Sequence, residues 1–164
     1  GFATSEPYFY ENVLTDWGKP VAYQTIHDAG WTSYAQTLAA KPETIVSAAD
    51  CLKLLVPIIQ QAQVDYVADP STTNALILDL VAQYNNGWMY DAGQADAAVA
   101  LALENGLIAN SPDGTLGSFD SQRMDEFLAL AIPIFEGLGE KLKPGLTSAD
   151  LATNQFIDPT IALP

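Results

Sequence analysis

Cysteine, histidine and positive charge are all scarce in this chain, and each scarcity closes off a kind of chemistry. A single cysteine, Cys51, cannot form an internal disulfide, and the one histidine, His27, has no second His or Cys nearby to share a zinc ion. Together they are the sole Cys–His pair a thiol enzyme could use. Cys51, however, falls among helical, apolar neighbours, where a small buried or half-buried residue is expected rather than a nucleophile. Six basic residues stand against 20 acidic ones, a net charge of -14, so a phosphate backbone is repelled and nucleic acid is not an expected partner. No stretch approaches the roughly 20 unbroken apolar residues of a membrane span. The richest, Leu52 to Ile59, is short and contains Lys53 and Pro57.

Recognisable catalytic and cofactor motifs are missing as well. There is no Gly-x-Ser-x-Gly elbow, and Gly114-Thr115-Leu116-Gly117 lacks the lysine and the preceding strand of a phosphate-cradling loop. Asp113-Gly114 has no flanking ladder of calcium ligands. Among 20 acids chance carboxylate pairs abound, and none stands out for acid–base work on a sugar. The expectation is therefore a chain that is not an enzyme and carries no metal or cofactor.

What is present reads as one domain of 164 residues with an ordinary hydrophobic fraction of 49%. Residues 1–40 read as strand, turn and hinge material. The opening run Gly1 to Asn12 begins with an apolar, strand-like step, then a turn bearing Glu6 and three aromatics, as if the chain were a mature or truncated piece made to sit among neighbours. Val21 to His27 is a second strand candidate between Gly18-Lys19-Pro20 and Asp28-Ala29-Gly30.

Residues 41–164 read as helical. Ile45, Ala49, Leu52, Val56 and Ile59 mark a first apolar stripe, which Pro57 should kink. Asp69-Pro70 opens a second helix with Ala75, Leu78 and Val81 on one side, stopping at Asn85-Asn86-Gly87. Asp91 caps an alanine-rich third helix ending at Asn105-Gly106. Ser111-Pro112-Asp113-Gly114 is a turn, and Asp120 caps a fourth helix with Met124, Phe127, Leu128, Ala131, Phe135 and Leu138 as its core face. A short last helix starts at Thr147 or Ser148, before an extended tail. Trp17, Trp31 and Trp88 are expected to pack rather than stack on a ligand.

Several phrases, in order, resemble one family. They are Gly1-Phe2-Ala3-Thr4-Ser5-Glu6-Pro7-Tyr8, Tyr23-Gln24-Thr25-Ile26-His27-Asp28-Ala29-Gly30-Trp31, Leu55-Val56-Pro57-Ile58-Ile59-Gln60-Gln61-Ala62, Tyr84-Asn85-Asn86-Gly87-Trp88 and Thr153-Asn154-Gln155-Phe156-Ile157-Asp158-Pro159. Their succession resembles the C-terminal half of solute-binding proteins of ABC importers, in the nitrate/sulfonate/taurine and thiamine-pyrimidine-precursor group.

The resemblance implies an α/β fold: the helix-rich C-terminal part of a type 2 periplasmic-binding-protein fold, with two strands near the N-terminus and four or five helices after them. It implies an extracytoplasmic location, periplasmic or cell-surface, with a lipid anchor conceivable in a full-length parent. The partners it implies are a small-molecule solute, an ABC permease, and a missing N-terminal lobe or a second copy in its place.

By the family's pattern Thr4, Ser5, Glu6 and Tyr8 stand at the ligand cleft. The residue types agree, since hydroxyls and one acid beside aromatics suit a concave polar site. Asp28 and Trp31 form a second candidate pair. A carboxylate at the contact opposes nitrate or sulfonate and favours a heteroaromatic or amine-bearing ligand such as a pyrimidine. Two alternatives stand beside this reading. One is a pyrimidine-precursor synthase, which by resemblance would need a histidine- and cysteine-bearing iron site. The other is a structural helical module that self-associates through an exposed strand edge.

Overall fold

The computed structural model describes all 164 residues, Gly1–Pro164, and half of them are helical. A short turn, α1 (Glu6–Tyr8), runs directly into a π-helical turn over Phe9–Val13. After an irregular stretch come α2 (Pro42–Ser47), α3 (Ala49–Ala68), α4 (Ser71–Tyr84), α5 (Ala92–Glu104), α6 (Ser121–Gly137) and α7 (Ser148–Leu151). No helix is long and apolar enough to cross a membrane.

The α/β expectation is overturned. There is no sheet, and the only β-type pairing is one isolated antiparallel bridge between Asn110 and Leu116. Neither N-terminal strand of the expected periplasmic-binding-protein fold forms, and side chains explain both failures. At the start, the Glu6 carboxylate accepts the Phe2 N–H while the Phe2 carbonyl accepts the N–H groups of Ser5 and Glu6, which curls the chain into a helical turn. In the second run the Glu11 carboxylate takes the Val21 N–H at 2.9 Å. The β-branched Thr25 then makes a turn instead of a strand: its hydroxyl accepts the Asp28 N–H at 3.0 Å and its carbonyl accepts the Ala29 N–H at 3.1 Å. Gly30, at φ 101, allows the Trp31 N–H to return to the Ile26 carbonyl. Local side-chain acceptors here outcompete strand propensity, which has no partner strand to reward it.

The helices follow their punctuation more closely. Asp91 Oδ1 accepts the Gln94 N–H at 2.7 Å, and Asp120 Oδ1 accepts the Gln122 N–H at 2.9 Å. Thr147 and Asp150 form a reciprocal capping box at α7. Asn85, at φ 41, is the left-handed stop of α4. Asp69 does its capping one residue further out than expected, accepting both the N–H and the hydroxyl of Ser71, so that Pro70 precedes the helix. The first helical stripe is split at Ala48, and α3 then continues through Pro57 to Ala68.

Two compact units share the chain. The first gathers Gly1–Tyr23 with Gln61–Ala109, and the second Gln24–Gln60 with Asn110–Pro164. In the first, α5 supplies the buried Ala95, Val99 and Ala102. A polar thread accompanies them: the Tyr66 hydroxyl donates to Asn74 Oδ1 at 2.9 Å, and Asn74 Nδ2 donates to Asp96 at 3.4 Å. Burial pushes the Tyr66 and Tyr90 phenols above their usual range, with the Asp96 charge adding to it.

In the second unit Leu116, Met124, Leu128 and Ala131 are buried, whereas Phe135 and Leu138 of the expected core face are exposed. Three carboxamides do there what a neighbouring strand would do for the C-terminal tail. Gln60 donates to the Leu116 and Asp158 carbonyls at 2.7 and 3.2 Å and accepts the Asp158 N–H at 2.9 Å. Asn110 pairs with both backbone groups of Leu163, and Asn154 with both of Phe119.

Along α3, Leu52 and Val56 of the expected stripe are half-buried on the same side as Gln60, and the opposite side is left open. Gln60 is 4% exposed, while Leu54 and Ile58 of α3 are 71% and 64% exposed. Cys51 lies on the open side as well, contrary to the buried position expected for it. The accessible surface is 11369 Å², more than the roughly 9,500 Å² that two separate globules sharing this mass would expose.

Candidate functional site

A cavity of about 370 Å³ opens on the first unit. Pro7, Tyr8, Glu11, Asn12 and Tyr23 form its walls, and Ala97, Ala100 and Leu101 of α5 form its floor. Local sequence explains the convergence. The α1 and π-helical turns place Tyr8, Glu11 and Asn12 at i, i+3 and i+4, on one face of a helical ribbon. Glu11 then draws Tyr23 alongside by holding the Val21 N–H with Oε1, which leaves Oε2 for a ligand. Asn12 Nδ2 donates to the Tyr8 carbonyl at 3.1 Å, leaving its Oδ1 as a second acceptor. The floor is alanine-rich, so the ribbon can approach α5 closely. Closest of all is Tyr8 to Gly93: a Cβ placed on Gly93 would meet the Tyr8 hydroxyl at 2.2 Å. Glycine is required at that point for the phenol to seat.

The six residues expected at a ligand contact have different fates. Thr4, Ser5, Glu6 and Tyr8 belong to the first unit, and Asp28 and Trp31 to the second. Of these, Tyr8 lines the cavity. Ser5 is turned inward, its hydroxyl accepting from the buried Gln94 Nε2 at 2.8 Å. Glu6 caps the first turn, and the Phe2 N–H, followed by its own N–H and the nearby terminal ammonium, holds its carboxyl below the usual carboxylate range. Thr4 is half-buried in that same turn.

Asp28 is exposed at the Thr25 turn. The Thr25 hydroxyl and then His27, whose Nδ1 lies 3.5 Å away, pull its carboxyl down. Trp31 is half-buried and packs edge-on against Phe127 at 4.9 Å, while Trp17 and Trp88 are about half exposed instead of packed away. The sequence reading passed over Glu11, Asn12 and Tyr23. A helical reading of residues 6–13 would have put the first two beside Tyr8.

A second cavity, about 200 Å³, lies in the second unit against Phe119, Met124 and Ala152, with Ser121, Ser148 and Thr153 at its edge. The Asn154 amide on its wall is already spent on Phe119. No three His, Cys, Asp or Glu side chains converge anywhere in a metal-holding group.

No family model matches the chain, and the searches of curated proteins and of solved structures likewise found no match.

Proposed function

We propose that this chain is a non-catalytic solute-binding polypeptide, part of the extracytoplasmic component that delivers a small organic molecule to an ABC permease. The observation that carries the reading is the cavity on the first unit. Its volume of about 370 Å³ falls in the range of small-molecule sites, and it joins an apolar floor to two tyrosines, one carboxylate and one amide. Such a lining holds and orients a ligand but has no nucleophile–base pair to transform one. The ordered phrases that resemble importer solute-binding proteins supply the permease, the extracytoplasmic setting and the remainder of the binding protein; the sheet-based fold does not come with them.

Calorimetric titration with pyrimidines, amines, sulfonates and nitrate tests the proposal. One of these solutes binds, and Tyr8→Ala or Tyr23→Ala abolishes the heat. The reading fails if no solute binds, or if both variants bind as the parent does.

A second reading, a helical interaction module that pairs with another copy of itself, is favoured by the open aliphatic side of α2 and α3. Val46 is 79% exposed there, and no charged residue interrupts Leu54 to Val64. Pairing would run through helices, since no strand edge exists. Sedimentation equilibrium distinguishes the two: a dimer that Ile58→Asp dissociates supports it, and a monomer at all concentrations removes it.

A further inference from the structure

Charge is distributed unevenly between the two units. Residues 1–23 and 61–109 hold nine acids, Glu6, Glu11, Asp16, Asp65, Asp69, Asp79, Asp91, Asp96 and Glu104, against one base, Lys19. None of the residues lining the cavity on this unit is basic. An anionic solute would meet a negative field with no counter-cation at the contact, and entry would be opposed at long range as well as short.

The groups that do reach the cavity are complementary to the opposite kind of ligand. Glu11 Oε2 and Asn12 Oδ1 are acceptors, since the partner atoms Oε1 and Nδ2 are already committed to Val21 and to the Tyr8 carbonyl. With the Tyr8 hydroxyl lodged against Gly93, the part of Tyr8 left to line the cavity is its ring. Tyr23 adds a second ring, half exposed and free to close over an occupant. Aromatic rings beside a carboxylate, over an alkyl floor, are the elements by which proteins recognise quaternary and alkylated ammonium groups, because the ring quadrupole attracts a cation too bulky to hydrogen-bond.

We infer that the solute of this site carries a positively charged, alkyl-substituted nitrogen, received between Tyr8, Tyr23 and Glu11, with its carbon skeleton on Ala97, Ala100 and Leu101. The inference rests on the solute-binding reading above and narrows it to one chemical class. It also reverses the preference that the sulfonate- and nitrate-binding branch of the resemblance would carry. Neutral ligands of the same shape gain the floor contacts and lose the attraction to the rings and the carboxylate.

The test uses three probes on the 164-residue chain, followed by calorimetry and saturation-transfer NMR. They are choline, its neutral carbon isostere 3,3-dimethylbutan-1-ol, and ethanesulfonate. Choline binds about tenfold more tightly than the isostere, and ethanesulfonate does not bind. Glu11→Gln, which keeps an acceptor for the Val21 N–H, reduces the choline advantage to about threefold or less and leaves the isostere unchanged. Tyr23→Ala weakens choline without altering the circular dichroism.

The inference is overturned if the isostere equals choline, if ethanesulfonate binds more tightly than either, or if Glu11→Gln leaves the ratio intact. Failure of all three probes and of the amines while a pyrimidine, sulfonate or nitrate binds removes the ammonium class alone. Failure of every solute removes the solute-binding reading with it.

Discussion

Replacing Gln60 should damage the second unit far more than its place on a long surface helix suggests. Its carboxamide is 4% exposed and makes three hydrogen bonds, two to carbonyls and one from the Asp158 N–H. In Gln60→Ala the carbonyl of Leu116, a residue 2% exposed, and the Asp158 N–H lose their partner together. Each hydrogen bond is worth about 1 kcal/mol net, and a buried group left unpaired costs about 1–3 kcal/mol, so a loss of about 3 kcal/mol is expected. At an m-value of about 1–2 kcal/mol/M, the urea midpoint of this unit falls by about 1.5–3 M.

The assay that isolates the cause is native-state hydrogen exchange. The Leu116 amide, which donates to the Ile161 carbonyl at 3.0 Å, loses about a hundredfold in protection along with the tail. Gln60→Glu gives an independent arm. Its carboxylate can still accept from Asp158 but cannot donate to Leu116, and burial raises its pKa. Its penalty is therefore largest near pH 7 and shrinks as the pH falls through that raised value, when protonation restores a donor. A Gln60→Ala midpoint within about 0.3 M of the parent, with unchanged Leu116 exchange, would refute the argument.

Gly93→Ala reverses a familiar rule. In an open helix the change gains about 1 kcal/mol, but here the new methyl meets the Tyr8 hydroxyl, so a net loss of about 1–3 kcal/mol is expected. Tyr8→Phe recovers most of it in the double variant, and additive melting temperatures would contradict the contact. The Asp150 carboxyl is held at about 2 by the Lys143 ammonium, and next by the Thr147 N–H and hydroxyl. A depressed folded value means stabilisation that is complete above the ordinary 3.8 and is lost as the pH falls from about 4 toward 2. Carboxyl-carbon NMR should find that midpoint near 2, and Lys143→Met should move it up, though not fully to 3.8 while Thr147 remains; an unmoved midpoint counts against the pair.

Helix boundaries from α4 onward were legible because Asp91, Asn85, Asp120 and Thr147 are chemical punctuation that works in any context. The first forty residues were not legible for the complementary reason. Strand-formers such as Val21 and Ile26 express that preference only beside another strand, and the acids and hydroxyls between them found nearer backbone donors. The inward face of α3 was legible up to its last position: periodicity put Leu52 and Val56 on the side where both are half-buried, but it carried the stripe on to Ile59, which is 38% exposed, without knowing what would arrive to cover it. The tail brought backbone polar groups that needed Gln60 instead.

At the candidate site Tyr8, expected at a cleft from the resemblance and its residue type, lies on the cavity wall. Ser5 was claimed by Gln94 through a contact that sequence spacing does not encode, and Glu6 by the N–H of Phe2 four residues before it, a local contact that a strand reading hides. Tyr23 was hidden by the mistaken strand over Val21 to His27, and Glu11 by the reading of its run as a turn, where a helical ribbon forms.

The three indoles have a practical bearing on anyone who follows this protein by its own light. Trp17 and Trp88 already sit in water in the native state, the latter stacked on Tyr90 at 4.8 Å. Their emission should be red-shifted before any denaturant is added. Trp31, half-buried and edge-on to Phe127, is the most sheltered of the three, so the largest share of the fluorescence change on melting will report on that one edge of the second unit.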